Sequence, residues 1–234
     1  MRIHNITLRI LSLLMLFTLL IPTAAEERSA KTTAAVAEKS SKTTAQTPNE
    51  KQARAIFDKA FDKLFGPEGC SLDYNLNVIG IFKNKGSIWK KGMKIKYMDD
   101  KREGWMNNQT VYLVDKKNKE VDIYSSTPPK NQKKSHEFAF NQNDYKYSIS
   151  NHNSTEYALN LSLKKGADGT IKRIKAIVNK RTFTPSTVKV KVSFVWATLN
   201  ISNYRQGIAD ENIFIYPAQK YSGYKITDHR NETD

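Results

Sequence analysis

The sequence predicts a mainly β protein of the α+β class: a strongly curved antiparallel sheet, or incomplete barrel, covered by an N-terminal helix. Three observations predict it. Apolar residues recur at helical spacing once, from Ala53 to Leu64. They alternate with polar residues in a series of later runs. No long periodic helix separates those runs, which argues against parallel β-α-β crossovers.

The elements follow in order. Arg2 and Arg9 flank the start of an apolar run, Ile10 to Ile21, that closes with Pro22-Thr23-Ala24-Ala25. At about 12 residues the run is short of the roughly 20 that a spanning helix needs. Small residues also stand at the positions a signal peptidase reads, so residues 1–25 are expected to be a secretory signal cleaved near Ala25. Cys70, the sole cysteine, lies far from that cleavage site and so cannot receive a lipid there. A single cysteine also excludes an internal disulfide and a thiolate zinc cluster. The mature chain is therefore expected to be soluble after export.

Residues 26–46 are Ala, Thr, Ser, Lys and Glu with no aromatic group, a composition that reads as a disordered linker. One domain, residues 47–230, follows, with a short tail over 231–234. Removing Arg2 and Arg9 from the 38 basic residues leaves 36 against 23 acidic ones, a net charge of +13. That excess suits acidic partners such as lipid headgroups, anionic polysaccharide or an acidic protein face. Export makes nucleic acid the least suited of acidic partners, and none is expected.

The helix starts with Thr47 as N-cap, Pro48 at the first helical position and Glu50 completing a capping box. Ala53, Ile56, Phe57, Ala60, Phe61 and Leu64 form one face, and Gly66-Pro67 stops the helix. The period then changes to two. Leu72, Tyr74, Leu76 and Val78 alternate with polar residues, as do Met93, Ile95 and Tyr97. The same holds for Tyr145, Tyr147 and Ile149, for Tyr157 to Leu163, and for Val188, Val190, Val192 and Phe194. Such runs have one apolar and one wet face. Turn chemistry marks hairpin tips at Asn84-Lys85-Gly86, Lys116 to Lys119 and Ala167 to Thr170. Nine to eleven strands result.

Catalytic and metal motifs are missing. The glycines do not cluster into a phosphate loop. His136, His152 and His229 lack metal-ligand spacing, and no nucleophile elbow surrounds a serine. Aromatic residues and lysines fall on opposite strand faces, which suits half-buried strands better than a base-stacking platform. The expectation is a non-enzyme with no catalytic residue, no metal and no cofactor.

Five stretches carry a family resemblance. Gly86-Ser-Ile-Trp-Lys-Lys-Gly-Met-Lys-Ile-Lys-Tyr97 resembles the Trp strand and its return in periplasmic outer-membrane lipoprotein carriers of the LolA type. Trp105 to Asp115 with Glu120-Val121 is similar to the next strands of that family, and Leu161 to Ile174 to its paired late strands. Ile213-Phe-Ile-Tyr-Pro217 and Tyr224-Lys-Ile-Thr-Asp-His-Arg230 resemble its closing motifs. The chain departs from the pattern at Lys91-Gly92, where the family often has a basic residue and proline, so no lid-latch residue carries over.

The resemblance implies an unclosed antiparallel β-barrel with a hydrophobic cavity under helices, and a short lid between Ser125 and Asn143. It implies a monomeric periplasmic carrier that takes the acyl chains of outer-membrane lipoproteins from an inner-membrane release complex to an outer-membrane acceptor. The expected cavity lining is Leu76, Val78, Ile88, Met93, Ile95, Tyr112, Val190, Val192 and Phe194, with Phe57, Phe61 and Leu64 pressing from the helix. Lys90 and Lys91 are the expected partner-binding rim. Two other readings fit the same residues: an acyl- or lipoprotein-sensing regulatory module, and a structural or polysaccharide-binding β-protein of the envelope with a filled core.

Overall fold

A computed structural model of the chain describes residues 46–79, 81–126, 140–167 and 169–230. The expected signal, most of the linker, the tail and most of the expected lid, including Phe138 and Ala139, lie outside the described residues.

Helix α1 spans Pro48–Phe65 and begins as its capping box dictates. The Glu50 N–H donates to Thr47 Oγ1 at 3.2 Å, and the Thr47 N–H donates to Glu50 Oε2 at 2.9 Å. Each bond satisfies a donor that the first helical turn leaves without a partner. Ala53, Ile56, Phe57, Ala60 and Leu64 are buried, and Gly66 ends the helix.

Twelve strands follow: β1 Cys70–Val78, β2 Phe82–Lys91, β3 Lys94–Asp99, β4 Arg102–Met106, β5 Thr110–Asp115, β6 Glu120–Ser125, β7 Tyr145–Asn151, β8 Glu156–Leu163, β9 Ile171–Asn179, β10 Pro185–Val192, β11 Val195–Gln206 and β12 Lys225–Asp228. They form one open sheet in the order β12-β6-β5-β4-β3-β2-β1-β11-β10-β9-β8-β7. Two meanders, β1 to β6 and β7 to β11, meet where β1 pairs with β11. Every pairing is antiparallel except that of β12 with β6. The twelfth strand exceeds the expected count because it is short and parallel, with no hairpin to announce it.

The expected turn at Asn84-Lys85-Gly86 lies inside β2, and the hairpin closes instead beyond the pair Val78 and Phe82. Gly86 serves close approach rather than turning: a Cβ there would lie 2.1 Å from the Met98 carbonyl oxygen. The turn at Lys116 to Lys119 forms as expected, with the Asp115 carboxylate accepting from the Lys117 and Asn118 N–H groups.

The registers sort the side chains onto two faces. Cys70, Leu72, Tyr74, Leu76 and Val78 share the concave face with Ile88 of β2 and with Leu199 and Ile201 of β11. Val188 and Val190 lie beside Leu199 and Ala197, and across from Ala176 and Ile174. Leu161 and Leu159 continue the row towards Tyr147 and Ile149. Helix α1 lies over this face. Its N-terminal half packs among β7 to β10, and Leu64 packs with Cys70, Leu72 and Ile88.

A separate core closes the opposite, convex face of β4 to β6. The C-terminal segment, with 3-10 turns at Glu211–Phe214 and Ala218–Tyr221, runs across it. Tyr216 stacks on Tyr112 at 4.2 Å, and Tyr221 meets Trp105 edge-on at 5.9 Å. Beneath them the Glu103 carboxylate accepts from the Tyr221 hydroxyl at 2.8 Å and from Lys220 at 3.1 Å. Burial alone would raise the Glu103 pKa, but the hydrogen bonds from Tyr221 and Lys220 and the charges of Lys220 and Lys116 hold it below the ordinary value.

Candidate functional site

Between α1 and the concave face lies a hollow of about 130 Å³. Phe57, Ala60, Phe61, Leu64 and Phe65 form its helical wall, with Phe140 beside them. The sheet wall comes from Leu76 of β1, Leu159 and Leu161 of β8, Ile171, Ile174 and Ala176 of β9, Pro185, Val188 and Val190 of β10, and Ala197 and Leu199 of β11. Every lining residue is apolar, so nothing in the wall can orient a ligand by hydrogen bonding. A wall of this kind suits apolar groups, held by exclusion from water.

The helix is tied to the sheet near its two ends. Asn49 donates to the Ile149 carbonyl at 2.8 Å and accepts the Ile149 N–H at 3.1 Å, pairing with the exposed edge of β7. Arg54 Nη2 reaches Gln142 Oε1 at 2.7 Å. At the other end the Tyr204 hydroxyl donates to the Lys63 carbonyl at 2.7 Å, and the Lys63 ammonium donates to Gln206. The Cys70 thiol contacts the Leu64 carbonyl at 3.6 Å. The residues from Phe57 to Leu64 that face the hollow meet the sheet through apolar packing.

An open antiparallel sheet with a helix across its concave face and an apolar hollow between them is the LolA-like arrangement that the strand motifs imply. No protein-family model matches the chain, and no curated protein matches it. Solved structures do. An uncharacterized conserved protein from Thermus thermophilus is similar at 9% identity and a TM-score of 0.47, covering 76% of this chain and 99% of that one. A putative outer membrane lipoprotein-sorting protein domain from Vibrio parahaemolyticus is similar at 12% identity and a TM-score of 0.39, covering 74% and 99%. A LolA superfamily protein from Nitrosomonas europaea is similar at 12% identity and a TM-score of 0.34, covering 70% and 97%.

The structure brings together only part of the expected lining. Phe57, Phe61, Leu64, Leu76 and Val190 face the hollow. Val78, Ile88 and Ile95 are buried on the concave face but outside the lining, and Val192 packs at its margin. Tyr112 is on the convex face, because it pairs with Trp105 and stacks on Tyr216. Met93 sits in the turn between β2 and β3 and is 44% exposed. Phe194 is 86% exposed: Val192 pairs with Val195, so the alternation that carried Phe194 inward stops at Val192, two residues earlier, at a two-residue turn.

Lys90 is not a rim residue. It stands opposite Cys70 and Ile95, on the concave face, and is 3% exposed. Its ammonium donates to the Gly92 carbonyl at 2.5 Å and lies 5.6 Å from the centre of the Phe65 ring. Burial pushes its pKa down to about 8. Lys91 faces the other way, and bonds Glu211 at 2.8 Å in the C-terminal segment.

The lining residues absent from the expected set come mostly from β8 to β11. Their alternation is visible in sequence. Which strands lie beneath α1 is not, because that depends on β11 pairing with β1. Among the described residues, no helix is long and apolar enough to cross a membrane, and no group of three or more His, Cys, Asp or Glu could hold a metal ion.

Proposed function

We propose that the hollow binds the acyl chains of lipoproteins, and that the protein is a periplasmic carrier. It receives lipoproteins from an inner-membrane release complex and yields them to an outer-membrane acceptor. The supporting observation is the lining itself, a continuous wall of carbon between a helix and an open sheet.

Size determines how loading works. An engineered cavity of about 150 Å³ admits benzene, whereas ligand pockets begin near 300 Å³. The hollow, at about 130 Å³, is too small for a long chain as it stands, so on this reading it is the closed form of a larger site that a chain enters as α1 moves off the sheet. Burial contributes about 0.8 kcal/mol per methylene. One long chain thus supplies on the order of 10 kcal/mol before ordering costs, set against the helix packing it displaces. Contacts without direction accept chains of several shapes and release them to a stronger acceptor.

Native mass spectrometry of the protein purified from an envelope extract tests this reading. Acyl or lipoprotein adducts, displaced by a fluorescent fatty-acyl probe, are expected. Empty protein that also fails to take up the probe would leave a filled-core structural protein as the better account.

A further inference from the structure

One end of the sheet presents an apolar edge that the hollow does not explain. The β1–β2 turn exposes Ile79 (64%) and Ile81 (65%), and the β10–β11 turn exposes Phe194. The pairing of β1 with β11 sets the two turns side by side: Val78 is opposite Ala197, and the Ile79 N–H donates to the Trp196 carbonyl at 3.3 Å. Hairpin chemistry favours Asn-Gly or a glycine at such a two-residue tip. Here the tip is Ser193-Phe194, with Ser193 at φ 52°. A non-glycine residue in the left-handed region and a large ring in water both cost stability, and no packing in the fold recovers that cost.

Behind these tips the charge is of one sign. Residues 75–85, 171–177 and 187–200, which build this end of β1, β2 and β9 to β11, hold seven basic residues and no acidic one. Lys83 and Lys85 come from β2, Lys172, Arg173 and Lys175 from β9, and Lys189 and Lys191 from β10. Lys189 is directly opposite Lys175, and Lys191 opposite Arg173, so like charges are neighbours across the pair. That arrangement is unfavourable in an isolated sheet. None of the seven forms an ion pair among the described residues, whereas Lys91, Lys94, Lys116 and Lys220 elsewhere all do.

We propose that this end of the sheet docks on an anionic lipid bilayer, with Ile79, Ile81 and Phe194 inserted among the headgroups and the lysines of β2, β9 and β10 against the lipid phosphates. Apolar side chains at the leading edge with basic ones just behind match the layering of such a surface, apolar within and negative outside. A second copy of this chain would present the same seven positive charges and be repelled. Leu76, Ala197 and Ile171 of the hollow lie within a few residues of these turns, so docking would set the site's sheet wall near the bilayer. The docking surface and acyl binding rest on different residues, and each could fail alone.

Co-sedimentation with vesicles tests the docking surface. The protein should pellet with vesicles of equal parts phosphatidylglycerol and phosphatidylethanolamine, far less with phosphatidylcholine vesicles, and less as salt is raised. The triple variant Ile79→Ser, Ile81→Ser, Phe194→Ser should lose about tenfold or more in partitioning, and Arg173→Gln with Lys189→Gln and Lys191→Gln should remove the preference for anionic lipid. Ile215→Ser with Ile226→Ser, also exposed but outside this end, should bind as the unaltered protein does. Unchanged fatty-acyl probe uptake in solution and an unchanged circular dichroism spectrum would separate docking from acyl binding and from misfolding. Failure of the unaltered protein to pellet with anionic vesicles, undiminished pelleting of the triple variant, or self-association abolished by that variant without vesicle binding would each overturn the proposal.

Discussion

Cys70 and Lys90 stand directly opposite each other in the β1–β2 register, both buried on the concave face beside the last turn of α1. Burial raises the thiol to about 11 and, against it, lowers the ammonium to about 8. The two groups act on stability with opposite signs.

The pH dependence follows from them. Below pH 8 the folded protein carries a buried ammonium at a cost on the order of 3 kcal/mol, since each tenfold loss of proton affinity is worth about 1.4 kcal/mol. Between 8 and the unfolded lysine value near 10.5, the unfolded chain holds more protons at this site, so the lysine's contribution rises with pH. From about 9 upward the thiol opposes it, because the unfolded chain loses its thiol proton first. The denaturant midpoint should climb from pH 8 to 9, level off, and fall above about 10. There the buried tyrosines, raised by desolvation, retain protons that the unfolded chain releases. Lys90→Met should raise the midpoint at pH 7 and abolish the climb from 8 to 9. An unchanged climb in that variant would assign it to another group.

Gly104 carries the Tyr97 ring flat across the β3–β4 pair: a Cβ there would lie 2.0 Å from Tyr97 Cε1. Gly104→Ala should destabilise by about 2 kcal/mol or more through overpacking against a buried side chain. Combining it with Tyr97→Leu should cost less than the sum of the two single changes, as measured by a double-mutant cycle in urea.

Tyr221→Phe removes one of the donors that hold the Glu103 carboxylate charged beneath the C-terminal segment. A loss of about 1–3 kcal/mol is expected. Hydrogen exchange should rise in residues 208–228 before it rises in β7 to β11. The carboxylate's contribution to stability is present above its unfolded pKa near 4.5 and disappears as pH falls through the lower folded value, so the variant should flatten the acid limb.

Ala197→Leu would extend a lining side chain into the hollow. If the space is as open as its volume indicates, the change should leave stability unaltered or raise it by about 1 kcal/mol, and should weaken fatty-acyl probe binding about tenfold. A loss of about 1–3 kcal/mol with undiminished probe binding would place the acyl site elsewhere.

By itself the sequence determined what rests on local periodicity and capping. Thr47, Pro48 and Glu50 start the helix, and Gly66 ends it. The two-residue period of Leu72 to Val78, Tyr145 to Ile149 and Val188 to Val192 assigns each strand an apolar face, because alternate side chains of a pleated strand must point opposite ways. Tertiary structure alone decided which apolar faces share a space. Tyr112 and Leu113 differ by one position, yet Tyr112 belongs to the convex core and Leu113 packs with the concave cluster. Lys90 has an exposed strand residue's composition and a buried one's register, opposite Cys70 and Ile95. Phe194 continues a period that the chain ends two residues before it. The Lys90 and Phe194 outcomes turn on where a hairpin closes, whereas the wall of the hollow depends on pairings between residues more than a hundred positions apart, as where β1 meets β11, and no local pattern encodes a contact of that range.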